Sequence, residues 1–280
     1  MYILILGGLG NQLFQLAFAK YLSLKFNKKI FLIDCTGFAK KQRKWELHNI
    51  KIKSKKLPKL IVSFIYYLSK LNISLYRKFN FIFLKSFFFE NEKIYLTNKA
   101  PLVLYGYWQN NVYLKNTIIF IKNKIMNNLS KNKILFNNFM INKNKKNIYV
   151  AIHVRRDDYF SSKDSIHGVC TPLWYLKAFN KLKNNINNLV PIIFTDDVNF
   201  VRCKININAH IWKSSSTESN FSDLAVMSMC DHFIISNSTY SWWAAWLSKN
   251  RNKKVVVPKF WAKNVKTTSL NFIPRSWSVL

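Results

Sequence analysis

Carboxylates are scarce in this sequence. Its 280 residues include 12 Asp and Glu against 44 Lys and Arg, a formal net charge of +32. A surface this poor in negative charge attracts anions. Charge alone does not choose among a membrane, a nucleic acid and a phosphorylated substrate. The 37 Lys and 33 Asn also fit the bias of an AT-rich genome. Cysteine is scarce as well. The four thiols, at 35, 170, 203 and 230, form no CxxC pair and have no His at finger spacing. That excludes a zinc ribbon or finger, and a disulfide framework is not expected at this size. Long apolar runs are missing too. The best candidate, Leu60 to Leu75, reaches ten residues before Lys70 interrupts it, against the ~20 that a spanning helix needs. The strand-like opening Tyr2–Leu6 has no basic lead-in, so no signal peptide is expected. The expectation is a cytoplasmic chain, free or peripheral on the inner face of a membrane.

What is present is the profile of a folded chain: 49% hydrophobic and 20% charged residues. The length suits one large domain or two modest ones. Residues 1–146 hold 27 basic and 4 acidic residues, and residues 147–280 hold 17 and 8. All eight of those acids lie between Asp157 and Asp231. Two-thirds of a rare residue class in one stretch points to use rather than to stray surface charge. The polar run from Asn142 to Asn147 reads as a linker, giving domains at 1–146 and 147–280.

Near the N-terminus a strand (Tyr2–Leu6) meets the turn Gly7-Gly8-Leu9-Gly10-Asn11-Gln12. A helix follows, with Leu13, Leu16, Ala17, Tyr21 and Leu24 at helical spacing, and then a strand at Ile30–Ile33. Leu13 stands where GxGxxG needs its third glycine, so a dinucleotide site is a poor match. Residues 51–100 read as short helices. The second half alternates more plainly. Strands are expected at Ile148–Val154, Pro191–Thr195, Ala209–Trp212, His232–Ile235 and Val255–Val257. Helices are expected at Pro172–Leu189 (N-cap Thr171), Asp223–Cys230 (N-cap Ser222) and Tyr240–Leu247. Such alternation predicts an α/β fold with a parallel sheet and crossover helices.

Open parallel sheets bind ligands beyond the carboxyl ends of their strands. Three strand ends here carry chemistry: His153-Val154-Arg155-Arg156-Asp157-Asp158, Phe194-Thr195-Asp196-Asp197, and Ser236-Asn237-Ser238-Thr239-Tyr240-Ser241. Guanidinium groups grip phosphate bidentately. A hydroxyl-rich turn at a helix start offers donors to an anion. Carboxylates pair with a base edge or a ribose hydroxyl. Together these form an inventory for a nucleoside diphosphate. Each has a plainer reading: Arg155 and Arg156 in structural ion pairs, Asp196-Asp197 as a helix cap or a weak metal site, Ser236–Ser241 as a cap, Trp242-Trp243 as core.

These segments resemble the family 11 glycosyltransferases, the α-1,2-fucosyltransferases that use GDP-fucose. The resemblance runs through Gly7–Gln15, Gly106-Tyr107-Trp108-Gln109, His153–Tyr159, Phe194–Asp197 and Asp223–Trp246. Asn237-Ser238-Thr239-Tyr240-Ser241-Trp242-Trp243-Ala244-Ala245-Trp246 is its most specific part. Asp157 stands where the family usually has Gly. The resemblance implies a GT-B architecture of two Rossmann-like α/β domains facing across a cleft. Asn11, Gln12, Tyr107 and Gln109 would lie on the acceptor side. His153, Arg155, Arg156, Asp196, Asp197, Ser236, Asn237, Ser238 and Ser241 would bind GDP-fucose. Arg155 would stabilise the departing diphosphate, and the general base would come from Asp158, His167, Asp164 or His153. The implied reaction is inverting transfer of L-fucose to the 2-hydroxyl of a galactoside, with no cofactor and no metal requirement. The acceptor would be a glycan such as O-antigen, lipid-linked or not, and an anionic membrane surface remains a candidate partner. The rivals are a fucosyltransferase of another linkage, a catalytically silent sugar-binding homologue, and a nucleic-acid-binding protein. The last lacks any RRM-like, zinc-finger or helix-turn-helix signature.

Overall fold

Parallel strands organise both halves of the chain. A computed structural model describes residues 1–39, 43–79, 87–89, 103–115, 117, 119–125, 147–156, 170–212 and 220–280. The chain divides into two compact units, Met1–Ile125 and Met126–Leu280. The linker expected before Asn147 lies outside the described residues.

The first unit opens with β1 (Tyr2–Ile5), α1 (Leu9–Phe26) and β2 (Phe31–Asp34). Helix α1 starts at Leu9, so Gly10, Asn11 and Gln12 form its first turn instead of the loop before it. It ends at Asn27, whose φ of 48° is the left-handed stop. A short α2 (Thr36–Ala39) follows, then α3 (Lys59–Phe79), β3 (Phe87–Phe89), β4 (Val103–Tyr105) and α4 (Asn111–Lys115). The sheet order is β2-β1-β4-β3, every pair parallel. Among the described residues of 51–100, expected as short helices, there are thus one helix of 21 residues and a strand. No Gly or Pro interrupts Lys59–Phe79, and Pro58 stands at its entry. The inner face of this helix places Val62 and Tyr66 against Leu4, Leu6, Ile33, Cys35 and Val103.

The second unit has a six-stranded, wholly parallel sheet. In chain order its elements are β5 (Ile148–Val154), α5 (Pro172–Lys183), β6 (Leu189–Thr195), α6 (Val198–Lys204), β7 (His210–Trp212), α7 (Asn220–Met227), β8 (His232–Ile235), α8 (Thr239–Leu247) and β9 (Val255–Val257). A hairpin of β10 (Phe260–Ala262) and β11 (Val265–Lys266) precedes β12 (Ser278–Val279). The order β12-β9-β8-β5-β6-β7 shows the chain moving outward from β5 on one side, then returning to build the other side from β8. The reversal lies between β5 and β8, where such sheets bind ligands. β5 is buried along nearly its whole length, which accounts for its continuous apolar run.

Helix ends in this unit depart from the sequence reading in α5 and in α7, which runs Asn220–Met227 instead of Asp223–Cys230. Thr171 does cap α5, its Oγ1 accepting the Trp174 amide at 3.2 Å, but the helix stops at Lys183 rather than Leu189. The run Asn184–Asn188 ends it, with Asn188 at φ 54° and its carbonyl accepting the Ile148 amide at the start of β5. Helix α7 begins at Asn220, so Ser222 is a buried residue of its first turn and not its cap. Trp242 and Trp243 are core, as read. Trp242 packs against Trp243, Trp246, Phe272 and Trp277, and its indole N–H donates to the Phe272 carbonyl at 3.1 Å. Two parallel α/β units in one chain are the Rossmann-like pair that the resemblance implies.

Candidate functional site

At the reversal point, His153 at the end of β5 meets Ser236 just past β8, Nδ1 to Oγ at 3.0 Å. The imidazole is buried, and the ring of Tyr240 lies 5.7 Å away. Burial, with the Arg155 charge second, pushes its pKa down to about 3. It is therefore a neutral hydrogen-bonding group near pH 7 and a poor acceptor of protons.

One step outward, Asp196 organises both arginines. Its Oδ2 stands 2.6 Å from Arg155 Nη1, and its Oδ1 accepts the Arg156 amide at 2.8 Å. The pairing of β5 with β6 produces this contact, because His153 lies opposite Phe194 and Val154 opposite Thr195. The Arg156 guanidinium lies 3.8 Å over the Phe200 ring, a cation–π contact, with Nε 4.0 Å from an Asp197 oxygen. Asp197 caps α6: its Oδ1 accepts the Phe200 amide at 2.8 Å, while the Asp197 amide donates to Thr195 Oγ1 at 3.0 Å. Each arginine stays about a quarter exposed, at 22% and 24%. A guanidinium has five N–H donors. The contact to Asp196 holds the Arg155 guanidinium at the strand end.

The third strand end is turned inward. Asn237 donates its amide to the Trp261 carbonyl at 2.8 Å, and Ser241 Oγ donates to the Ser238 carbonyl at 3.3 Å. Ser236, Asn237, Ser238 and Ser241 are all buried. Asn237 and Ser241 thus shape the turn into α8, while Ser236 meets His153. Ser238 is the N-cap residue and makes no side-chain cap bond. Cys170 lies nearby, with hydrogen bonds from the Asn237 backbone and Tyr175. Burial nonetheless pushes its thiol up to about 12, so it is no nucleophile.

In the first unit, Asn11, Tyr107 and Gln109 gather beyond the ends of β1 and β4. Gln109 Nε2 donates to Asn11 Oδ1 at 3.1 Å, and Tyr107 is exposed. Gly7 makes this possible: its φ is +73°, and a Cβ there would stand 2.7 Å from Asn11 Nδ2 and 3.3 Å from the Tyr107 ring. Gln12 is placed differently. It is fully buried, donating to the carbonyls of Gly7 (3.0 Å) and Lys44 (2.8 Å) and accepting the Glu46 amide (2.9 Å). It fastens the turn to a neighbouring loop.

Asp157, Asp158, Asp164 and His167 lie outside the described residues. The sequence reading missed Phe200, Tyr240 as the partner of His153, and Arg43, whose guanidinium stands 3.1 Å from where a Gly8 Cβ would be. Phe200 had a signal, since it stands three residues after a capping Asp, in the helix turn that faces the strand end. Arg43 had none.

Guanidinium groups and a buried neutral imidazole thus meet at the switch point of a parallel sheet, the edge where such folds bind ligands. The chain belongs to glycosyl transferase family 11, whose model matches residues 48–278. It is 30% identical to an alpha-1,2-colitosyltransferase of Escherichia coli, over 97% of this chain and 95% of that one. It is 29% identical to the O-antigen biosynthesis glycosyltransferase WbnK of Escherichia coli, over 93% and 94%. A shorter match, 29% identical over 39% of this chain and 31% of the relative, is to galactoside 2-alpha-L-fucosyltransferase SEC1 of Bos taurus.

Proposed function

We propose that this glycosyltransferase moves L-fucose from GDP-β-L-fucose to the 2-hydroxyl of a galactoside in a surface glycan, with inversion. The observation that carries the reading is the pair of arginines aligned by Asp196 at the switch-point edge. As the glycosidic bond breaks, positive charge grows on the sugar ring and negative charge on the departing GDP. Arg155 would donate to that diphosphate, held in plane by Asp196 so that little reorganisation is needed. Arg156, resting on Phe200, would add a second cation, which does the work a metal ion does in other nucleotide-sugar enzymes. The start of α8 would give main-chain N–H groups to the same anion, and His153 and Asp197 would meet the nucleoside.

The acceptor side would be Asn11, Tyr107 and Gln109, in an acceptor domain of residues 1–146, with the donor domain at 147–280. The base would be Asp158 or His167, with Asp164 as the alternative. If Asp158 takes the proton, Asp158→Asn abolishes transfer and spares donor affinity; if it only orients Arg155, donor affinity falls too. The names of the full-length relatives support an α-1,2 linkage and an O-antigen acceptor, and the bovine relative's name supports a galactoside.

A second reading has a specific support: the relative matched over 97% of the chain transfers colitose. Colitose is fucose without its 3-hydroxyl, so the same diphosphate machinery would serve either donor. Calorimetric titration with GDP, GDP-fucose and GDP-colitose tests the reading. Tight binding of GDP that Arg155→Lys weakens is expected. Failure of all three to bind would overturn it.

A further inference from the structure

Helix α3 carries apolar side chains outward as well as inward. Its inner face offers Val62, Ile65, Tyr66, Ser69 and Asn72 to the first unit. Its outer face carries Leu60, Ile61, Phe64, Tyr67 and Leu71, with Leu60 at 84%, Phe64 at 64% and Tyr67 at 61% exposed. These five recur at helical spacing over three turns and form one continuous stripe. Exposed apolar stripes of this size mark a contact surface.

The charges around the stripe say what covers it. Residues 47–79 contain eight Lys and Arg and no Asp or Glu. Lys51, Lys53, Lys55, Lys56 and Lys59 lead into the helix and are exposed, and Lys70 is exposed within it. A second copy of the chain would bring the same cations face to face with no carboxylate between them. A nucleic acid would satisfy the lysines and leave Leu60, Ile61 and Leu71 without a partner. An anionic bilayer satisfies both: lysines at the phosphates, aliphatic side chains at the acyl boundary. No described helix is long and apolar enough to cross a membrane, so the helix would lie in the surface.

We infer that α3 is a membrane-docking helix, seated by its outer stripe on an anionic lipid surface. This stands independently of the reaction proposed above. The direct test is cosedimentation of the whole protein with phosphatidylcholine vesicles, with and without phosphatidylglycerol, at low and high salt. Wild-type protein binds the anionic vesicles at low salt and is released by salt. Leu60→Ser/Phe64→Ser/Tyr67→Ser weakens binding by roughly tenfold or more while GDP affinity and circular dichroism stay unchanged. Lys53→Gln/Lys56→Gln/Lys59→Gln weakens it too and flattens the salt dependence. Unchanged binding of the serine variant would reduce the effect to net charge and overturn the inference. Equal binding to neutral vesicles, no binding to either, or a dimer that the serine variant dissolves would also overturn it.

Discussion

The 2.6 Å contact between Arg155 and Asp196 decides what substitutions at the site do. Arg155→Lys keeps the charge and loses the planar fork that the proposed diphosphate contact needs. Loss of one preorganised donor costs about 2.7–4 kcal/mol, so kcat should fall roughly a hundred- to a thousandfold in a folded variant. Near wild-type turnover would remove Arg155 from the reaction. His153 makes a separate prediction about acid. Its folded pKa, about 3, is below the value of about 6.5 for an unfolded chain. Above pH 6.5 both states are neutral and the group costs nothing. As pH falls from 6.5 toward 3 the unfolded chain takes up a proton that the folded one refuses, and stability drains by up to about 1.4 kcal/mol per pH unit. His153→Gln should flatten the dependence of the urea midpoint between pH 6.5 and 5. A slope as steep as wild type's would place the acid sensitivity elsewhere.

At the scale of elements, Gly7 joins β1 to α1 and makes the sharpest backbone prediction. Alanine there meets a φ of +73° and Asn11 at 2.7 Å. Gly7→Ala should cost about 1 kcal/mol or more, visible in the urea midpoint. It should also break the Asn11–Gln109 contact, raising the acceptor KM more than the donor KM. Equal KM values would mean that the turn serves the fold alone. The strand–turn–helix start, all five strands expected in the second unit and the Thr171 cap were legible because period and cap chemistry are local. The end of α5 was not, because the apolar residues Ile186 and Leu189 continue the pattern past Lys183 while the Asn residues between them end the helix. Helix α3 was legible too, since no Gly or Pro breaks Lys59–Phe79, but its mixture of Lys, Phe and Tyr was read as several short helices. The three strand ends were legible as an inventory. Their division of labour was not: Asp196 as the arginine aligner follows from the pairing of β5 with β6, and the inward turn of Asn237 and Ser241 follows from packing against the Trp242 cluster.

For the whole molecule, the proposal rests on charge supplied by arginine where many nucleotide-sugar enzymes use a divalent ion. Turnover should therefore survive EDTA. Complete loss on chelation, restored by magnesium or manganese, would contradict that division. The net charge of +32 is concentrated in residues 1–146, where α3 lies. Codon bias fits a general excess of Lys, but it does not account for an exposed apolar stripe bordered by lysines with no acid among them. The most direct measurement of the central claim is transfer itself. The protein, treated with EDTA, is incubated with GDP-β-L-fucose or GDP-colitose and a panel of galactosides, and the product linkage is read by NMR. The account predicts an α-linked deoxy sugar on the galactose 2-hydroxyl, lost in Arg155→Lys. A product linked at another hydroxyl, or hydrolysis of the donor with no galactoside acceptor used, would contradict it.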